Sequence, residues 1–311
     1  MTADPSGATT AAGSKPAVPA EPVRRAGVAV VVVNHNTRDD LLTCLGTLRD
    51  AGADEVVAVD SGSSDGSLDA VAAAFPEVTR VALANVGFGK AANAGVAVTS
   101  SPAVVLANAD TRFPPGSAAA MGAYLAAHPD VGAMGPMVRF PDGRLQMSAR
   151  AFPSIGQAVG HALVGLWHPA NRWTRAYRLT DWDHASERDV DWLSGCCIAV
   201  NRTAFDAVGG FDPAYFMFVE DVDLCDRLGK AGWRVVFAPV AEVVHAIGGS
   251  VSRRRFRMVV EHARSLDRFF ARRYATGPRR LARPLIRLGL AGWVVAAMAW
   301  SVLRGQTHAH G

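Results

Sequence analysis

The chain has 311 residues, half of them hydrophobic, enough for one large α/β domain with extensions and a substantial core. Its formal charge of +4 averages unlike parts: residues 253–304 hold thirteen Arg against Glu261 and Asp267, a local +11, and the remainder stands at −7. That asymmetry argues against an evenly basic nucleic-acid reader and directs the basic end toward another anionic surface.

Residues 1–25, rich in Ala, Pro, Ser and Gly, lack the charged-then-apolar order of a signal peptide. A disordered leader on a cytoplasmic protein is expected. Val28–Val33 is a continuous apolar run, the mark of a strand buried on both faces. Thr37–Asp40 has the form of a capping box, and Leu41, Leu45 and Leu48 recur at helical spacing until Gly52. Strands over 55–59, 80–84 and 103–107 and helices around 68–75 and 90–98 continue the alternation. Alternating elements with short links argue for a parallel, doubly wound sheet.

Beyond Pro114 the pattern loosens. Pro141–Gly143 marks a turn, and residues 154–190, with Trp167, Trp173 and Trp182, follow no assignable period. A strand over 191–200, a helix over 220–230 and short strands over 234–237 and 242–245 follow. Leu288–Leu303, with Trp293 and Trp300, is apolar beside arginines, as in the headgroup region of a membrane. Its sixteen residues are short for a span, so interfacial or shallow insertion is expected, with a terminal core helix as the alternative. Cys44, Cys196, Cys197 and Cys225 follow no metal spacing or small-domain disulfide framework, so buried free thiols are expected.

Polar clusters follow the strands at Asn34–Asn36, Asp60–Ser67 and Asn108–Asp110, where open α/β sheets bind ligands. Asp60 at a strand tip could accept from a ribose hydroxyl or a base; equally, Asp60 and Asp65 could cap the next helix. Asn85–Gly89 with Lys90 offers backbone donors and a cation for phosphate, although plain turns use the same residues. Asn108 and Asp110 end an apolar strand with spaced oxygen ligands, which suits a hard cation beneath a diphosphate.

Glu220 and Asp221 open a helix whose macrodipole favours an ionised Asp221, hence a base; capping is the alternative. Asp223, Asp226 and Lys230 read as a solvated face. His245, ending a strand, is a third metal ligand, a phosphate donor or a structural histidine. No GxGxxG follows the first strand, and neither GxxxxGK[ST] nor GxSxG occurs, which disfavours dinucleotide oxidoreductases, P-loop enzymes and α/β-hydrolases.

In this order VVVNHN, VDSGSSDGS, NVGFGKAANAG, LANADT, DWLSGCCIAVNR, GGFDPAYFMFVEDVDLCDRLGKAGW and VVHAIGGS resemble glycosyltransferase family 2, in its bacterial rhamnosyltransferase branch. The resemblance covers roughly residues 27–250. It implies a GT-A fold over 26–250, followed by a basic, helical, membrane-associating region over 251–311. It also implies an inverting mechanism with Mg²⁺ or Mn²⁺.

By position, Asp60 resembles the nucleoside-binding acid, grouped with Asn34, Asn36, Ser63, Asp65, Asn85, Gly87, Lys90, Asn93 and Asn108 around a nucleotide sugar. Asp110 and His245 resemble metal ligands, and Asp221 the catalytic base of the Glu220–Asp221 pair. Trp192, Ser194 and Gly195 are assigned to the acceptor. Asn108 replaces the first Asp of the common metal motif, which leaves Asp110 as the firm carboxylate.

The implied donor is dTDP-L-rhamnose. The implied acceptor is a polyprenyl-diphosphate-linked GlcNAc, met at the cytoplasmic face of the membrane in cell-wall or polysaccharide assembly. Still open are a mannosyl or galactofuranosyl donor, a non-catalytic nucleotide-sugar-binding scaffold, and a nucleotidyltransferase.

Overall fold

The computed structural model describes residues 27–152, 168, 171, 175, 179–246 and 255–307; the expected leader, Trp167, Trp173 and the side chain of Trp300 lie outside them. Strands β1 (Val28–Asn34), β2 (Glu55–Ser61), β3 (Thr79–Leu83) and β4 (Ala103–Asn108) alternate with helices α1 (Arg38–Leu48), α2 (Ser67–Ala74) and α3 (Phe88–Ala97). There follow β5 (Thr111–Arg112), α4 (Ser117–Ala127), β6 (Val131–Arg139), β7 (Ala149–Arg150), β8 (Arg188–Asp189), β9 (Trp192–Leu193), β10 (Cys197–Asn201) and α5 (Arg202–Ala207). The chain continues through α6 (Glu220–Lys230), β11 (Arg234–His245), α7 (Arg255–Arg273), a 3-10 turn (Pro278–Ala282) and α8 (Arg283–Thr307).

The main sheet runs β3-β2-β1-β4-β10-β6-β11-β5, with β8 also on β11; β7 and β9 form a separate ribbon. The β3-β2-β1-β4 half is parallel, as the alternation implies. Beyond it, β10 runs antiparallel between β4 and β6, and β11 returns parallel to β6. Strand alternation divides the core. Val28, Val30 and Val32 pack with Leu41, Leu45 and Met121 on one face of the sheet, while Ala29 and Val31 meet Ala91, Ala92 and Val96 on the other.

Several expectations are corrected. Thr37 makes no side-chain cap for α1; its hydroxyl donates instead to Asn34 Oδ1 at 2.7 Å, so no capping box forms. The strand expected over 191–200 breaks into β9 and β10, because the backbone at Ser194–Cys196 bonds outside the ladder. The two short strands expected over 234–245 are one, whose register with β6 slips between Phe237 and Glu242. Pro239, which has no N–H for the ladder, lies inside that slip. The turn at Pro141–Gly143 closes as expected, with the Phe140 amide donating to Arg144 O at 2.8 Å.

The supposed solvated face of α6 is buried instead: Asp223 is 0% exposed and Asp226 5%. Arg227 and Lys230 neutralise them from within the helix at 2.7 and 2.6 Å. Arg272 reaches Asp223 at 3.2 Å, and Arg273 pairs with Asp226. Buried carboxylates require such partners. Part of the basic end is therefore used inside the protein, where α7 docks through Phe269, Phe270 and Tyr274 onto Tyr215 and Val219.

The apolar sixteen residues understate α8, which has 25 residues; Arg280–Met298 is long and apolar enough to cross a membrane, and none of it is buried. Among the described residues nothing encloses this helix as a core helix would be enclosed. α8 packs along α7 through the Arg287–Asp267 pair at 2.8 Å and the Trp293–His262 ring contact. Leu281, Leu285, Leu288 and Val295 face outward, each at least 69% exposed. All four cysteines are buried and free, and burial pushes the Cys44 and Cys225 thiols up to about 12.

Gly95 sets the closeness of α3 to the sheet, since a Cβ there would lie 2.3 Å from Val31 Cγ1 and 2.7 Å from Val59 Cγ2. Both valines are fully buried and stiff about χ1. Gly95→Ala gains about 1 kcal/mol of helix propensity. Overpacking at so short a distance costs about 1–3 kcal/mol, so the variant is expected to melt lower. A raised Tm in thermal denaturation would show instead that propensity wins.

Candidate active site

The ends of β1, β2 and β4 lie side by side, with Asn34 in register with Asp60 and Val33 with Asn108. The first cradle forms there. Asn34 Nδ2 donates to Asp60 Oδ1 at 2.9 Å and to Ser63 Oγ at 3.2 Å, while the Ser63 amide donates to Asp60 Oδ2 at 2.8 Å. Asp60 is thus pinned, yet each oxygen keeps acceptor capacity. The Asn36 amide donates to Ser63 Oγ at 2.8 Å, and Asn36 Oδ1 receives the Ser64 amide at 2.8 Å.

His35 adds a link that sequence reading did not single out. Its Nδ1–H donates to Ser61 O at 2.8 Å, so Nε2 is free to accept from Asn85 Nδ2 at 3.3 Å. That bond ties the tip of β1 to the loop before α3.

Three residues of the expected donor set are otherwise engaged. Asp65 accepts from the amide and hydroxyl of Ser67 and from the Arg38 amide, which holds its carboxyl below the usual range and makes it a local cap. Asn93 clamps the Phe211 peptide, donating to its carbonyl at 2.8 Å and accepting from its amide at 2.9 Å. Gly87 lies against the Phe216 carbonyl, which also takes the first amide of α3 from Phe88 at 3.2 Å. These last two contacts fasten the 211–219 loop to α3. Lys90 stays exposed at the start of α3.

The second cluster joins Asn108, Asp110 and His245. The antiparallel pairing of His245 with Thr111 brings His245 Nε2 to 3.1 Å from Asp110 Oδ1 and 3.3 Å from Asn108 Nδ2. Gln146, which sequence reading missed, accepts from His245 Nδ1 at 3.0 Å and so leaves the Nε2 lone pair facing Asp110 and Asn108. An imidazole lone pair and a carboxylate this close call for a proton or a cation between them. The carboxylate oxygen suits Mg²⁺ or Mn²⁺, and the imidazole, a borderline donor, is accepted more readily by Mn²⁺. Among the described residues no three His, Cys, Asp or Glu gather to hold a metal, so Asn108 and ligand phosphates would complete the shell.

The third cluster opens α6. Asp221 Oδ2 accepts from the Gly195 amide at 2.8 Å, and Oδ1 from the Val222 amide at 2.8 Å. The macrodipole argument alone leads to a low pKa, but the net direction is upward. Burial dominates, against the lowering by those two amides and by the Arg150 guanidinium. Glu220 is 6% exposed, with Oε2 buried and unpartnered among the described residues. Burial first, and then the Asp221 charge, raise its pKa strongly, so the pair resists carrying two negative charges at once.

Gly195 and Cys196 join the second and third clusters: Gly195 holds Asp221, and the Cys196 carbonyl receives the Asn108 amide and Thr111 Oγ1, both at 3.1 Å. The Ser194 amide donates to Ser148 O at 2.7 Å. Trp192 is 6% exposed, donates to Ala151 O at 3.2 Å and lies 5.0 Å from Arg150, so little of its ring is open at the surface.

The chain matches the family described as glycosyltransferase like family 2 over residues 25–269. It is 39% identical over 262 residues to the N-acetylglucosaminyl-diphospho-decaprenol L-rhamnosyltransferase of Mycobacterium tuberculosis (strain ATCC 25618 / H37Rv), covering 80% of each chain. It is 36% identical over 139 residues to the rhamnosyltransferase WbbL of Escherichia coli (strain K12), covering 44% of this chain and 48% of that one.

Among solved structures, the fold resembles the mannosyltransferase PcManGT of Pyrobaculum calidifontis in complex with GDP-Man and Mn²⁺, with a TM-score of 0.53 at 21% identity over 91% of this chain and 79% of that chain. GalNAc-T7 with UDP, GalNAc and Mn²⁺ gives 0.54 at 15% identity over 89% and 57%. These are GT-A folds. A match that spans the sheet, both acidic motifs and most of α7 makes the chain a member of glycosyltransferase family 2, and a glycosyltransferase.

Proposed function

We propose that the chain transfers L-rhamnose, with inversion, from dTDP-L-rhamnose to a polyprenyl-diphosphate-linked GlcNAc. The supporting observation is the junction at Gly195–Cys196, where adjacent residues bond Asp221 and the Asn108 end of β4. The 39% identity over 80% of each chain with the mycobacterial rhamnosyltransferase supports the donor and acceptor classes.

Asn34, Asn36, Asp60 and Ser63 hold the nucleoside, and Asn85 and Lys90 flank its phosphates. Asp110 and His245, with Asn108, hold Mg²⁺ or Mn²⁺, which when bound offsets charge on the leaving diphosphate. Asp221 takes the proton of an acceptor hydroxyl. That oxygen attacks the anomeric carbon opposite the nucleotide, the C–O bond to the diphosphate breaks, and the nucleoside diphosphate leaves. Burial of Glu220 opposes a second negative charge beside Asp221.

α8 meets the membrane at its cytoplasmic face. α7, which runs beside α8, carries Arg257, Glu261, Arg264 and Asp267, so the pair is best accommodated lying in the interface. The outward stripe of Leu281, Leu285, Leu288 and Val295 enters the acyl boundary.

Asp110→Ala is expected to abolish the metal dependence of dTDP binding measured by calorimetry with Mg²⁺ or Mn²⁺; undiminished metal-dependent affinity would remove Asp110 from the cation site. Asp221→Asn is expected to lower turnover roughly 10²–10⁴-fold with donor affinity nearly unchanged. Because the Asp221 pKa is raised, wild-type kcat should climb with pH through an acid limb above the ordinary carboxylate range. Near-normal turnover of Asp221→Asn, or a limb at or below that range, would return Asp221 to a capping role. Leu285→Gln/Leu288→Gln/Val295→Gln changes only exposed positions. It should weaken cosedimentation with anionic liposomes while sparing transfer to a short, soluble acceptor; unchanged sedimentation would contradict the membrane assignment.

A further inference from the structure

The two residues before Glu220 hold a backbone conformation that their side chains disfavour. Phe218 and Val219 have φ of 66° and 68°, in the left-handed region, where a β-branched residue is a marked outlier. Such a conformation persists only where the surroundings over-determine it. Here the surroundings come largely from α7. Ser265, 5% exposed, donates its hydroxyl to the Met217 carbonyl at 2.9 Å. The Phe218 ring packs against His262 at 5.1 Å. Val219 is buried among Tyr215, Phe269, Phe270 and Tyr274. Arg272 then grips both flanks of the turn, reaching Asp212 at 2.8 Å and Asp223 at 3.2 Å.

We infer that α7 is a brace that imposes the left-handed Phe218–Val219 turn and thereby aims Asp221, with Ser265 and His262 as its positioning residues. The inference rests on Asp221 being the base. α6 begins directly after Val219, so the two φ angles set the direction in which Glu220 and Asp221 leave the loop. If the turn relaxes toward negative φ, Asp221 swings away from the Gly195 amide and from any acceptor hydroxyl. Misplacement of about 1 Å can cost a hundredfold in rate. His262 acts through its ring rather than its charge, because burial and the Arg150 guanidinium both lower its pKa.

The test compares Ser265→Ala, His262→Ala and His262→Phe in the full chain, with Asp221→Asn in parallel. Alanine is the better helix former, so Ser265→Ala does not threaten α7. Ser265→Ala and His262→Ala are each expected to lower kcat about ten- to a hundredfold, with dTDP affinity within about twofold of wild type. Amide exchange should quicken at Gly195 and over 217–221 while β1, β2 and β4 stay protected. His262→Phe, which keeps the ring contact, should stay within about threefold of wild-type kcat.

Wild-type kcat and unchanged Gly195 exchange in both alanine variants would overturn the brace, as would a loss of protection spread evenly over the sheet. If Asp221→Asn itself turns over normally, the base assignment fails and this inference with it. An inactive Asp221→Asn beside a fully active Ser265→Ala discards the brace alone.

Discussion

Two adjacent residues of backbone, Gly195 and Cys196, join the acidic motifs of this protein. Where the chain leaves the ladder between β9 and β10, the Gly195 amide turns to Asp221 and the Cys196 carbonyl turns to Asn108 and Thr111. A hydrogen bond to a charged group contributes about 1.5–3 kcal/mol, and here it also fixes distance and direction. Two acidic motifs more than a hundred residues apart become one site because a strand is interrupted between them. The same bond tempers Asp221: burial raises its pKa, and the amides of Gly195 and Val222 draw it back.

The alternating half of the fold was legible in the sequence because parallel strands buried on both faces are plain apolar runs. Val28–Val33 and Ala103–Ala107 became β1 and β4 almost to the residue, and 220–230 became α6. Asp110 and His245, singled out by motif as metal ligands, stand 3.1 Å apart in the structure. What escaped was settled by contacts distant in sequence. Asn93 looked like a ligand residue, but its amide is complementary to the Phe211 peptide 118 positions away. Asp223 and Asp226 looked solvated because their partners, Arg272 and Arg273, stand some 47–49 residues downstream on another helix. Gln146 carried no signal at all, since a neutral amide behind a histidine follows no period or motif.

The basic end divides its charge between two tasks. Arg272 and Arg273 neutralise buried carboxylates of α6, and Arg287 pairs with Asp267 to hold α8 along α7. The apolar outward stripe of α8 has no partner among the described residues. His262 lies between Phe218 and Trp293, so the proposed membrane helix stands one ring from the turn that precedes Asp221. For a lipid-linked acceptor the proposed arrangement is physically coherent: the carrier chain would stay at the α8 surface while its sugar reached the proposed base, Asp221.

Product analysis tests the proposed reaction most directly. The protein would be incubated with dTDP-L-rhamnose, Mg²⁺ and a polyprenyl-diphosphate-linked GlcNAc, and the products followed by chromatography and by NMR of the anomeric centre. The account predicts stoichiometric dTDP, a rhamnosylated lipid and an inverted anomeric configuration. Release of pyrophosphate, retention of configuration, or no transfer from this donor while another nucleotide sugar is consumed would contradict it.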